Sequence, residues 1–170
     1  MLRRVILRRP LPSDHKAFLA AVRKSRRIHH RWVHAPSTPG EYRAYLLRLD
    51  QRVNWGWLVC LKATGEPAGV VNISNAVRGS FHSAYLSYYV FAGNERRGLM
   101  REALLAALRV AFVTLKLHRL EANIQPGNAA SIALVRSCGF RKEGFSPRYL
   151  KIGGRWRDHE RWAILADRRT

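Results

Sequence analysis

The stretch Asn94-Glu95-Arg96-Arg97-Gly98-Leu99-Met100-Arg101 ends a strand-like run and opens the longest helical pattern of the chain. Before it, Ala84 to Val90 reads as a strand. After it, Met100, Leu104, Leu108, Phe112 and Leu115 recur at helical spacing, and Leu105 and Ala111 widen the apolar stripe. A strand, a tight turn with one glycine and a helix whose first turn has free N–H groups together make an anion site. Arg96, Arg97 and Arg101 add positive charge to it. The expected ligand is a phosphate or pyrophosphate, held by main-chain amides at the positive end of the helix dipole and neutralised by guanidinium groups. A solvated arginine pair in an ordinary turn is the plainer alternative. Neither a P-loop nor a Gly-x-Gly-x-x-Gly pattern is present, which argues against nucleoside triphosphates and dinucleotides.

Working back from the turn, Ser83 to Val90 follows two further strands, Trp55 to Leu61 and Ala68 to Ser74, joined through Ala63-Thr64-Gly65-Glu66, so the three form an antiparallel meander. Earlier still, Arg3 to Arg9 reads as a first strand stopped by Pro10 and Pro12. Ser13 or Asp14 caps a helix to about Arg27, and Thr38-Pro39-Gly40-Glu41 is a capping box opening a second helix to about Arg52. Between the helices, Ile28 to Pro36 is a loop with three histidines. It has no carboxylate, thiolate or metal-ligand spacing, so a solvent-facing or substrate-facing loop is expected and no metal.

Forward from the turn, His118 to Ile124 is a strand in the order expected of a β-α-β unit with parallel strands. Pro126-Gly127-Asn128 starts a helix, Ala129 to Ser137, that Gly139 terminates. Arg141 to Lys151 and Arg155 to Leu165 form a last hairpin about Ile152-Gly153-Gly154, and Asp167 to Thr170 is a polar tail.

A chain of 170 residues, 47% hydrophobic and 25% charged, suits a single domain over residues 1–170 with one sizeable core. Cys60 and Cys138 sit in apolar runs and read as reduced core residues. No secretory signal or bilayer-length apolar segment is seen, so a cytoplasmic protein with no membrane association is expected. The net charge of +20 attracts phosphate-bearing ligands, nucleic acid or ribosomes and repels polycations.

Several segments at matching separations resemble the GNAT N-acetyltransferase superfamily, and within it the ribosomal-protein-alanine N-acetyltransferases. They are Tyr85-Leu86-Ser87-Tyr88, Gly98-Leu99-Met100-Arg101-Glu102-Ala103-Leu104, His118-Arg119-Leu120-Glu121-Ala122-Asn123, Asn128-Ala129-Ala130-Ser131, Gly139-Phe140, Glu143-Gly144-Phe145 and Trp156-Arg157-Asp158-His159. The resemblance implies an α+β fold, a mixed central sheet of about seven strands with about four helices on its two faces. It makes the opening stretch an acetyl-CoA pyrophosphate loop, though with Glu95 at its first position, Arg96 where a glycine is common and Met100 at its last. Arg96, Arg97, Gly98, Leu99, Met100 and Arg101 would then hold pyrophosphate. Val90, Phe91 and Ala92 would line pantetheine where their strand splays from the one around Glu121, and Asn128 and Ser131 would face the cofactor.

Acetyl transfer to an amine needs a neutral amine, a polarised thioester carbonyl and a stabilised thiolate. An α-amino group, with a reference pKa near 8, is roughly a tenth neutral at pH 7, so modest base help suffices. Glu121, Asn123 and Gln125 alternate along one strand and share a face. Glu121 acting through water is the base candidate, with an ion pair to Arg119 or Arg141 as the alternative. Amides near Phe91 are expected to polarise the carbonyl. Many superfamily members place a tyrosine at what is here Val135; Ser131 is the nearest hydroxyl donor to the thiolate, and Tyr149 is held in reserve. His159 beside Asp158 reads equally as a structural pair. The implied acceptor is the N-terminal alanine of a ribosomal protein, with other peptide or small amines as alternatives, in a monomer or dimer. The competing reading is a non-catalytic basic module binding ribosome or RNA, with His29, His30, Arg31, Trp32 and His34 stacking on bases.

Overall fold

The computed structural model describes residues 4–29 and 31–166. Among them the strands are β1 (Val5–Arg8), β2 (Trp55–Leu61), β3 (Pro67–Val77), β4 (Ser83–Val90), β5 (Arg119–Ile124), β6 (Arg141–Ile152) and β7 (Arg155–Leu165). The helices are α1 (His15–Lys24), α2 (Arg26–His29), α3 (Pro39–Arg48), α4 (Leu99–Arg109) and α5 (Ala129–Ser137). One seven-stranded sheet runs β1-β2-β3-β4-β5-β7-β6, antiparallel except for the β4–β5 pair. The expected mixed sheet is present, with a fifth, short helix added.

That helix arises where α1 was expected to run on to Arg27. Ser25 ends α1: its Oγ donates to the Ala21 carbonyl at 2.7 Å and accepts the Ala92 N–H at 2.9 Å. A buried serine that answers both its own helix and a distant strand breaks the helix at that point. The capping box of α3 forms as read, Glu41 N–H to Thr38 Oγ1 at 3.2 Å and Thr38 N–H to Glu41 Oε2 at 3.3 Å, but α3 stops at Arg48. The α4 pattern closes in a π-helical turn, Val110–Thr114. Arg3, His30 and the tail Asp167 to Thr170 lie outside the described residues.

Where one core was expected, the structure has two, because the sheet runs through the middle and its strands alternate side chains to either face. On one face Val59, Val71, Ile73, Leu86, Leu120 and Ala122 meet Leu99, Ala103, Leu104 and Val135 of α4 and α5. On the other, Leu58, Cys60, Val70 and Phe91 meet Phe18, Val22, Tyr42 and Tyr45 of α1 and α3. Both cysteines are free and buried. Arg4 fastens the edge of the sheet to α4, its main-chain N–H and its Nε meeting the Glu102 carboxylate at 2.9 and 2.6 Å.

Phe18 is fully buried, with its ring 4.6 Å from that of Tyr42 and 5.7 Å from that of Phe91. Phe18→Ala is expected to cost about 3–5 kcal/mol in urea unfolding. A second prediction concerns acid. Burial lowers the pKa of His29 and His159, partly offset by their bonds to the Val90 and Arg157 carbonyls. The unfolded histidines take up protons below about pH 6.5 and the folded ones only at lower pH, so stability falls as pH drops below that value. The urea midpoint should be lower at pH 5.5 than at 7.5, and His159→Gln should reduce the difference.

Candidate functional site

Strand β4 pairs with β5 only through Ser83, Ala84 and Tyr85, opposite Arg119, Leu120 and Glu121. Beyond that point β4 continues to Val90 bonded to β3 alone, while β5 continues to Ile124 bonded to β7. A gap therefore opens in the middle of the sheet. The bond from Phe91 N–H to Ala68 O, 2.8 Å, sets the phase of β4, so the main-chain groups of Tyr88 and Val90 point into the gap. A strap crosses its end: His29 Nε2 lies 2.7 Å from the Val90 carbonyl, Gln125 Nε2 donates to Arg31 O at 3.0 Å, and the Trp32 ring lies against Gly127. His29, at the end of α2, is buried and Trp32 is half-buried, while Arg31 and His34 are exposed.

Below the gap, β4 leads into the turn. Gly93, Arg96 and Gly98 have φ of 87°, 57° and 74°. Left-handed backbone of this kind shapes anion-binding concavities, and at Arg96 it disfavours a side chain by about 1–2 kcal/mol. A glycine at 96 would avoid that cost. Gly98 caps α4, whose first intrahelical bond runs from Glu102 N–H to Gly98 O, leaving the N–H groups of Leu99, Met100 and Arg101 without helical acceptors. Leu99 and Met100 bury their side chains in the core, so they offer the turn only their main chain. Glu95 folds back, accepting the Gly93 N–H at 2.6 Å. Arg97 braces the turn through Gly93 O and Asn94 Oδ1, at 3.4 and 3.3 Å. Arg101 instead reaches the Ser137 carbonyl at the end of α5. The Arg4 guanidinium, paired with Glu102, comes beside the turn: a Cβ on Gly98 would lie 3.2 Å from Arg4 Nη2. Arg4 lies 94 residues from Gly98 in the chain, counting from 4 to 98, so no local pattern links the two.

The three catalytic candidates divide between the faces of the sheet. Ser131 lies on the α4/α5 face, where Asn128 caps α5 by accepting the Ser131 N–H at 3.2 Å. Its Oγ is 2.6 Å from Tyr88 Oη. The alternation of Tyr88 with Leu86 and Val90, visible in the sequence, places it on this face. Burial pushes its phenol well up. Val135, at the position of the superfamily tyrosine, is fully buried core.

Glu121 and Tyr149 lie together on the opposite face, at the apex of the gap. The β5 burial pattern alternates as expected, with Glu121 and Asn123 half-buried between buried neighbours. Glu121 Oε1 accepts from Arg119 Nε at 2.8 Å, and Arg119 also pairs with Glu143, so the ion-pair alternative is realised. Glu121 Oε2 has no partner among the described residues. The neighbouring Tyr149 hydroxyl, burial and the Glu121 charge push the Tyr85 phenol up to about 12. Tyr149 also meets the buried His159, ring centroids 6.2 Å apart. The Asn123 Oδ1 is buried and has no partner among the described residues.

The amides near Phe91 are not equivalent. The Phe91 N–H is engaged by Ala68 O and the Ala92 N–H by Ser25 Oγ, so neither is free to polarise a carbonyl. The gap-facing amide is that of Val90. Among the described residues no group of three or more His, Cys, Asp or Glu could hold a metal, and no helix is long and apolar enough to cross a membrane.

Residues 4–141 match the acetyltransferase (GNAT) domain family. The ribosomal protein uS5-alanine N-acetyltransferase of Escherichia coli (strain K12) is 49% identical over 94 residues, 55% of this chain and 48% of that relative. The chain thus spans about half the length of this curated relative. A probable N-acetyltransferase of Bacillus subtilis (strain 168), YjcK, is 32% identical over 121 residues, 71% of this chain and 67% of the relative. Among solved structures, Mycobacterium smegmatis RimJ in complex with CoA-disulfide has a TM-score of 0.88 at 28% identity, covering 95% of this chain and 82% of that one. The ribosomal-protein-S5-alanine acetyltransferase from Vibrio fischeri also reaches 0.88, at 25% identity over 100% of this chain and 97% of the other. With a sheet parted between β4 and β5 and a glycine-capped helix at the mouth of the gap, the chain belongs to the acetyltransferase (GNAT) domain family.

Proposed function

We propose that this chain transfers an acetyl group from acetyl-CoA to an amine, and that the acceptor is the N-terminal alanine of a ribosomal protein. The observation that carries this reading is the parting of β4 from β5 after Tyr85 and Glu121, with an anion-binding helix start at one end and polar side chains on the far face. Acetyl-CoA supplies an activated acyl carbon and a thiol leaving group. The rest is the work of residues in this chain.

The N–H groups from Arg96 to Arg101 receive the pyrophosphate, and Gly98 lets the backbone come close. Arg4 and Arg97 neutralise its charge, while Glu95 has its carboxylate turned onto the Gly93 amide. Val90 N–H and Tyr88 C=O are positioned to pair with the amide groups of the pantetheine arm. Phe91 and Ala92 contribute by locking the end of β4 to β3 and to Ser25. Asn128 fixes the first turn of α5 and so the direction of Ser131, whose hydroxyl donates to the departing thiolate.

The amine enters from the other face, between Glu121 and Tyr149. Glu121 keeps one oxygen on Arg119 and offers the other, through water, to the ammonium proton. In the transfer, nitrogen and sulfur are separate substituents of one tetrahedral carbon, so the incoming amine and the departing thiolate can be served by different side chains. The ribosomal acceptor rests on the uS5-alanine acetyltransferase relative and on the net charge of +20, which favours a partner carried beside RNA and disfavours polycationic amines.

Calorimetry should show acetyl-CoA binding, and thiol release should depend on an Ala-starting peptide; absence of both would overturn the reading. Gly98→Asp places a charged side chain at a left-handed position in the cradle and should weaken acetyl-CoA binding at least tenfold. Glu121→Gln should lower kcat/KM at pH 7, and the deficit should shrink as pH rises past about 8, where the α-amine is already neutral.

A further inference from the structure

Ser131 does not face the gap alone. Tyr88 rises from the part of β4 that β5 has left, and its Oη lies 2.6 Å from Ser131 Oγ and 3.2 Å from the Ser131 carbonyl. The serine N–H is already engaged by Asn128 Oδ1, so main chain and hydroxyl of this residue are both held. A phenol has one proton to give. When it goes to the carbonyl, the serine proton turns to Tyr88 Oη and away from any third group. When it goes to Ser131 Oγ, the serine proton is released toward the gap. An anion there favours the second arrangement, because a chain of donors polarises in its direction.

We propose that Tyr88 is a positioning residue for the acyl transfer: its phenol donates to Ser131 Oγ and so directs the serine proton onto the departing sulfur. The proposal rests on the acetyl-CoA reading of the gap. In the step it assists, the amine lone pair forms the C–N bond and the C–S bond breaks with its electron pair passing to sulfur. The ammonium proton leaves on the Glu121 side through water, and the thiolate, stabilised by Ser131, takes a proton from solvent to end as a thiol. No oxidant or reductant is involved. The burial that pushes the Tyr88 phenol up keeps it protonated at neutral pH, so it acts as a standing donor and does not surrender its proton to a thiolate of lower basicity.

The plain alternative is that the bond only pins α5 to β4. Tyr88→Phe keeps the ring and removes the hydroxyl, and three readouts separate the two roles. With an Ala-starting peptide, kcat should fall about 10–100-fold while the KM for acetyl-CoA stays within about twofold. On a Ser131→Ala background the same change should have no further effect, since the two hydroxyls act in series. The third readout needs no acceptor: the pH at which CoA bound to the protein reacts with iodoacetamide should rise by about one unit in Tyr88→Phe, a tenfold loss of thiolate stabilisation. A wild-type kcat together with an unshifted thiol titration, or a double variant that loses the product of the two single effects, would overturn the positioning role. If the wild-type protein binds neither acetyl-CoA nor CoA in calorimetry, the acetyl-CoA reading falls and takes this role with it. Binding that persists while Tyr88→Phe behaves as wild type removes the positioning role alone.

Discussion

Everything at this site depends on hydrogen bonds that a sheet would ordinarily make and this one gives up. Past Tyr85 the main-chain groups on one side of β4 have no strand to meet, in the middle of a seven-stranded sheet. Unpaired backbone is costly when buried, so such an opening persists only if something else holds its walls. Here β3 holds β4 from behind up to Val90, and β7 holds β5 along its whole length. At the open end His29 meets the Val90 carbonyl and Ser25 meets the Ala92 amide. The helix break at Ser25 and the burial of His29, which look incidental in the N-terminal half, are thus part of how the gap is kept.

The same opening organises the charges. At one end it runs into a turn with left-handed residues at 93, 96 and 98 and a helix start with free amides. There Glu95 turns its carboxylate onto a neighbouring amide, and Arg4, just before β1, is brought beside the turn by its bonds with Glu102. At the other end, Glu121 is held by Arg119 with one oxygen left over, beside two tyrosines. Tyr88 and Ser131 lie across the sheet from them. The sheet therefore separates the hydroxyl pair from the carboxylate, and the gap joins the two.

Much of this was legible from local pattern. Alternation along β5 placed Glu121 and Asn123 on one face, and the structure agrees. The helical stripe after Gly98, the capping box at Thr38 and the glycine stop at Gly139 each formed where short-range chemistry put them, because each rests on residues within a turn or two of one another. Helix ends were less legible. Ser25 breaks α1 for the sake of Ala92, a contact 67 residues away that no window on the sequence includes.

By itself, then, the sequence determined most of the order of strands and helices, the alternation of apolar and polar positions and the glycine-bearing turn before α4, since these follow from nearest-neighbour preferences and periodicity. Tertiary structure alone decided which groups share the site. Arg4 came beside the turn, the Arg101 guanidinium bonded to the end of α5, the Phe91 amide was taken by Ala68, and Tyr88 met Ser131. The physical reason is that a hydrogen bond or ion pair is fixed by distance in space, and strand register and helix packing set that distance between residues tens of positions apart in the chain.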